Sequence, residues 1–287
     1  MGKTLMEDAW GDPRNAEALA WASDFSYYPE AEAKAKFRAE LGLEARLFSV
    51  GNTQAYVAAN DDHIVVAFRG TEAPTSLEGV KDWLLTDAVD LLIVPEGRLG
   101  TDLAAAGVGA RFHQGFVNAI AAIWDPVYKA VDQEMKAAER PLWVTGHSLG
   151  GALALLAAWL FLRRMVPVHQ IYTFGGPMIG NDLALTAFDR EFAGKIFRYV
   201  NVPDPVPKLP TVSLVANQYA HCQTEITLGV VGATGAAADF FHELGKKTVD
   251  GILNATLLDD LWNGLKDRIG AHGMASYRKL LADFFKE

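Results

Sequence analysis

The chain has 287 residues, 50% of them hydrophobic and 21% charged, a balance that supports a large buried core and excludes a disordered polymer. Its formal net charge of −9 opposes nucleic acid as a partner, because binding a polyanion needs clustered Lys and Arg, and no basic tract occurs. One cysteine, Cys222, excludes an intrachain disulfide and a multi-thiolate zinc site.

The opening residues, MGKTLMEDAWGDPRN, hold no apolar core of signal-peptide length, and Met6 stands where a myristoylation motif has Ser or Thr. The default expectation is a cytoplasmic protein, with signal-independent secretion left open. Good helix formers follow, broken once at Pro29, so two helices are predicted, the second ended by Gly42. Next, QAYVAAN and HIVVAFRG are short apolar runs joined by Asn60, Asp61 and Asp62, which reads as a hairpin leading into a central strand that stops at Gly70. Strand and helix then alternate: FHQGFVNAIAAIWDPVYKAVDQEMKAA is helical, PLWVTG a strand, GGALALLAAWLFLRR helical, QIYTFGGP and KIFRYVNV strands, and MASYRKLLADFFKE a last helix. That order predicts an α/β fold with a mostly parallel sheet covered on both faces. The most apolar run, Ala152 to Leu162, is shorter than the roughly 18 residues of a membrane span and should be a buried helix.

Between the strand PLWVTG and that helix lies GHSLGG, Gly146 to Gly151. In a G-x-S-x-G turn the small neighbours let strand and helix backbones approach, and the serine hydroxyl stands clear of the sheet. Ser148 is therefore a candidate nucleophile, with the Leu149 amide beside it as an oxyanion donor. The plain alternative is that Ser148 only caps the helix. A serine nucleophile needs a histidine base and a carboxylate to fix the tautomer of that base, and after a G-x-S-x-G turn joining strand to helix the two follow the serine in the order Asp or Glu, then His. The carboxylate candidate is Asp204, just past IFRYVNV in a loop bracketed by Pro203, Pro205 and Pro207; its alternative is a turn-capping role. His63 and His169 precede their strands, at the wrong end of the sheet, and His147 is locked in the turn. His221, His242 and His272 follow Asp204 and compete for the base.

Six separated pieces resemble the class 3 lipases, the fungal-lipase-like branch of the α/β-hydrolases: VVAFRGT (65–71), DWLLTD (82–87), FHQGF (112–116), VTGHSLGGALA (144–154), YTFGGPMIGN (172–181) and FRYVNVPDPVPKLP (197–210). The resemblance runs over roughly residues 15 to 280 and implies a single α/β-hydrolase domain over 1–287. It implies His272 as the base, assigns His113 and His147 structural places and His221 a non-catalytic turn, and adds Thr71 as the second oxyanion donor. A β-branched residue closing a strand is the alternative for Thr71.

Two insertions, 74–110 and 228–270, are candidate lids, since apolar helical stripes such as Leu77, Val80 and Leu84, or Phe240, Phe241 and Leu244, could meet an oil–water surface; such stripes equally suit a core. HELGK lacks the second histidine of a zinc-protease helix, GVGARF lacks a third glycine, and GKKT is no phosphate loop. No cofactor or metal is expected. The implied activity is hydrolysis of a lipid ester such as an acylglycerol through an acyl-enzyme. A phospholipase, galactolipase, or short-chain or aromatic-acid esterase would share the mechanism, and a non-catalytic binding scaffold is the rival of another class. Oligomeric state is not legible.

Overall fold

The computed structural model describes residues 3–70, 92–208, 219–223, 225–229 and 269–284. Its centre is a seven-stranded sheet in the order β1 (Glu44–Val50), β2 (Thr53–Ala59), β3 (Ile64–Phe68), β6 (Leu142–His147), β7 (Gln170–Phe174), β9 (Ile196–Asn201), β11 (Glu225–Leu228). The first three strands pair antiparallel, and the remaining pairings from β3 through β11 are parallel. The hairpin between β2 and β3 turns on Asn60, whose side-chain oxygen accepts from the Asp62 and His63 amides.

Side chains alternate across this sheet with the period of a strand. On β3, Ile64, Val66 and Phe68 enter one core with α4 (Gln114–Ala137) and α5 (Leu149–Arg163), while Val65 and Ala67 enter the other with α1 (Pro13–Phe25) and α2 (Glu30–Leu41). The last helix, α8 (Met274–Phe284), lies on the α1 face, where Tyr277 and Leu281 are buried. Each large apolar side chain buried this way contributes about 1.5–3 kcal/mol. Helix α5 is apolar on every side because its residues from Gly150 to Phe161 are all buried. Among the described residues no helix is long and apolar enough to cross a membrane.

Helix ends follow local chemistry. Asp12 caps α1 through the Arg14 amide with Pro13 at the first helical position, and Gly42 ends α2 in the left-handed conformation. Phe112 and His113, expected to open a helix, instead form β5 of a small antiparallel sheet with β4 (Leu92–Ile93), β8 (Gly180–Asn181) and β10 (Tyr219–Ala220). Helix α6 (Asp182–Glu191), capped by Asn181, was not foreseen.

Of the candidate lids, 74–91 and nearly all of the second lie outside the described residues. The described part of the first is anchored. Leu99 and Leu103 on and beside α3 (Gly100–Ala104) are in the core, and the Trp159 indole of α5 donates to the Asp102 carbonyl (2.8 Å).

Candidate active site

The turn between β6 and α5 holds Ser148 at φ 57° and ψ −132°, a backbone conformation that only glycine adopts freely. Ser148 occupies the cap position, yet its side chain makes no capping hydrogen bond. Ser148 is thus a buried residue, 7% exposed, with a strained backbone at the carboxyl end of β6. Its amide donates to the Phe174 carbonyl of β7 (3.0 Å). The glycines around it are steric necessities: a Cβ on Gly146 would come within 2.8 Å of the Gly151 nitrogen, and one on Gly150 within 2.9 Å of the Arg69 carbonyl carbon. Leu149 is the first residue of α5, so its N–H belongs to the first turn, whose amides have no helical acceptor and carry partial positive charge.

Asp204 follows β9 in a turn closed by its own amide on the Asn201 carbonyl (2.9 Å) and is buried. Its Oδ1 accepts from the Val206 amide (2.9 Å) and its Oδ2 from His272 Nδ1 (2.8 Å) and Tyr277 Oη (2.6 Å). A carboxylate with its acceptors filled this way has a fixed orientation, and loss of one buried partner would cost about 1–3 kcal/mol. Burial first, then the Asp204 charge, pushes ionisation of Tyr277 well above the ordinary phenol range, so it remains a donor. His272 ends the short helix α7 (Ile269–His272). Asn201 ties the two segments together: its side chain donates to the Ala271 carbonyl (2.8 Å) and its amide to Tyr277 Oη (3.1 Å).

Because Nδ1 of His272 donates to Asp204, Nε2 is the nitrogen left to accept a proton, and it is buried with no partner among the described residues. Serine and histidine flank one peptide: Phe174 binds the Ser148 amide, and a Cβ on the next residue, Gly175 (φ 58°), would sit 3.1 Å from His272 Nδ1. Ser148, Leu149, Asp204 and His272 thus lie at the carboxyl end of the parallel strands. Thr71 and His242 lie outside the described residues.

The other histidines are placed elsewhere. His221 Nε2 donates to the Pro207 carbonyl (2.5 Å) in the turn after Asp204, and burial, then the nearby Arg198 charge, pulls its pKa down to about 3. His113 is buried and stacks on Phe116 (4.1 Å), while His63 and His169 flank Trp143 at the far end of the strands. Tyr277, which the sequence analysis does not single out, completes the Asp204–His272 group by donating to Asp204 Oδ2 and accepting from the Asn201 amide.

The family model described as Lipase (class 3) matches residues 65–214, more than half of the chain. The chain belongs to the class 3 lipase family. A secreted mono- and diacylglycerol lipase of Fusarium solani is 32% identical over 208 residues, covering 70% of this chain and 54% of that protein. A chloroplastic phospholipase A(1) of Arabidopsis thaliana is 31% identical over 160 residues, covering 53% of this chain and 34% of the relative. This class 3 lipase chain therefore spans about half the length, or less, of these curated relatives. Among solved structures, a mutant form of MDLA from Penicillium cyclopium aligns with a TM-score of 0.59 at 25% identity, covering 75% of this chain and 78% of that one. The Rhizomucor miehei triacylglyceride lipase aligns at 0.57 and 26%, covering 75% and 79%. The α/β-hydrolase fold is that of these neighbours.

One expectation is corrected. The cytoplasmic default is overturned by relatives from Fusarium, Malassezia and Penicillium that are named as secreted lipases, which points outside the cell.

Proposed function

We propose that this chain is a serine carboxylester hydrolase, acting on acylglycerol-type lipid esters outside the cell and built as a single α/β-hydrolase domain. Ser148 attacks the ester carbonyl as His272 Nε2 takes its proton; Asp204 holds His272 in the tautomer that makes this possible and stabilises the imidazolium. The Leu149 amide and Thr71 stabilise the oxyanion, His272 returns the proton to the departing alcohol, and water attacks the acyl-enzyme by the same relay in reverse.

The observation that carries the reading is the pairing of Asp204 Oδ2 with His272 Nδ1 at 2.8 Å, which leaves a buried Nε2 without a partner among the described residues, at the end of the sheet where Ser148 is held at φ 57°. The names of the fungal relatives support an acylglycerol as substrate, and the Arabidopsis relative favours a phospholipid as the second reading. A non-catalytic scaffold has no use for a strained serine beside an ordered Asp–His pair.

The test is hydrolysis of tributyrin, olive oil and a phosphatidylcholine by the parent and by Ser148→Ala. We expect the variant to lose at least about a thousandfold in kcat/KM, the scale on which a nucleophile is lost, and a fluorophosphonate probe to label only the parent. Parent-like activity in Ser148→Ala would refute the assignment, and turnover confined to phosphatidylcholine would select the second reading.

A further inference from the structure

Two polar side chains at the site have no part in the scheme above. Tyr27 lies between α1 and α2 and is partly buried; His147 is the residue before Ser148 and is buried. The Tyr27 hydroxyl is 2.7 Å from His147 Nδ1, and His147 Nε2 is 2.6 Å from the backbone carbonyl oxygen of His272. On its other side the Tyr27 oxygen packs against Gly70, just past the end of β3, where no Cβ would fit against it.

For a neutral His147 ring these contacts leave one arrangement of protons. A carbonyl can only accept, so Nε2 of His147 carries the hydrogen; Nδ1 then has a lone pair and accepts from the Tyr27 O–H. A continuous hydrogen-bonded chain runs from Tyr27, which packs on Gly70, through His147 to the main chain of His272. The His147 ring also lies 4.5 Å from the His272 ring, tilted by 34°. Facing His147 are the titratable groups of Tyr27, His272 and Tyr277, the last with ring centres 5.8 Å apart, while Arg69 and Asp24 act on Tyr27.

We propose that Tyr27 and His147 are positioning residues for the hydrolytic reaction: they fasten the backbone of His272 to the strand end that leads into the oxyanion loop, and they keep the adjoining ring uncharged. The proposal rests on the reading of Ser148, Asp204 and His272 as the reacting groups. Its physical logic lies in the transition state. When His272 takes the Ser148 proton it becomes a cation, and a second cation 4.5 Å away would oppose that step. Burial, and then the neighbouring His272, hold His147 well below the usual imidazole range, and burial raises the Tyr27 phenol, so neither loses its place in the chain. Because the cation exists only during proton transfer, the benefit appears in kcat and not in substrate binding.

The test uses Tyr27→Phe, His147→Leu and His147→Gln with a soluble nitrophenyl butyrate, and Ser148→Ala alongside. Tyr27→Phe and His147→Leu are expected to lower kcat about tenfold to a hundredfold, the range that slight misplacement of a reacting group produces, with KM within about twofold of the parent. The Gln amide can still donate to the His272 carbonyl, so His147→Gln should recover most of the loss. Parent-like kcat in Tyr27→Phe and His147→Leu, or His147→Gln no better than His147→Leu, would overturn the relay. Nitrogen-15 NMR of the parent decides the matter even if a variant does not fold: at a pH near the ordinary imidazole pKa of about 6.5, His147 should be neutral with the proton on Nε2, and a protonated ring or the Nδ1–H tautomer overturns it. Activity retained in Ser148→Ala would remove the hydrolase reading itself, whereas an inactive Ser148→Ala beside an unaffected Tyr27→Phe removes only the relay.

Discussion

The two halves of the candidate site are made in different ways. The serine half is six consecutive residues, Gly146 to Gly151, in which sterics do the work: the missing Cβ at 146 lets the first turn of α5 close on β6, the missing Cβ at 150 lets it press on the end of β3, and Ser148 sits between them at φ 57°. The acid–base half is assembled from Asn201, Asp204, His272 and Tyr277, with Asp204 and His272 68 residues apart, and hydrogen bonds hold it. One half is rigid because nothing else fits, and the other because both oxygens of the Asp204 carboxylate are hydrogen-bonded. They should fail differently.

The largest effect tests the hydrogen-bonded half. Asp204→Asn keeps the shape of the side chain but presents an N–H or a weaker acceptor to His272 Nδ1, so kcat/KM should fall about ten-thousandfold, as when a triad carboxylate is replaced by its amide, with a cooperative thermal transition retained. Parent-like turnover would mean that the Asp204–His272 bond is structural. Gly150→Ala tests the other half. Its methyl group would meet the backbone of Phe68 and Arg69, so the loss should exceed about 4 kcal/mol and show in a urea titration as an unfolded or far less stable chain. An unchanged midpoint would show that the close approach is not needed.

The smallest effect sharpens the contrast through pH. Folding holds His221 neutral, with a pKa of about 3, below the ordinary imidazole value near 6.5. Between those values the unfolded chain binds more protons than the folded one, so this histidine's contribution is complete above about pH 6.5 and declines as the solution is acidified toward pH 3. His221→Gln, which can still donate to the Pro207 carbonyl, should match the parent within about 1 kcal/mol at pH 8 and lose stability less steeply below pH 6.5. Parallel curves from chemical denaturation across that interval would contradict the placement.

Much of this contrast was readable before any coordinates. The helices around Pro29 and Gly42, the hairpin at Asn60 and the parallel alternation all rest on neighbouring residues, as does the strand–turn–helix around Ser148. The misses are instructive. Strand β1 and strand β11 lie at the sheet edges, where only Ala45 and Leu228 are buried, so neither shows the apolar run of a central strand. Two-residue strands such as β4 and β5 are too short to leave a pattern at all. Reading the chain from its own residues left His221, His242 and His272 in competition, because nothing near any of them says which will face Asp204.

What the sequence by itself determined is the layered α/β architecture and the serine turn, since hydrophobic periodicity and the absence of side chains at Gly146 and Gly150 act on immediate neighbours. Only the tertiary structure decided that His272 Nδ1 meets Asp204, that Tyr277 shares the same carboxylate oxygen, and that Tyr27 reaches His147. Hydrogen bonds between distant residues depend on strand order and on where each chain leaves the sheet, and no short stretch of residues encodes either.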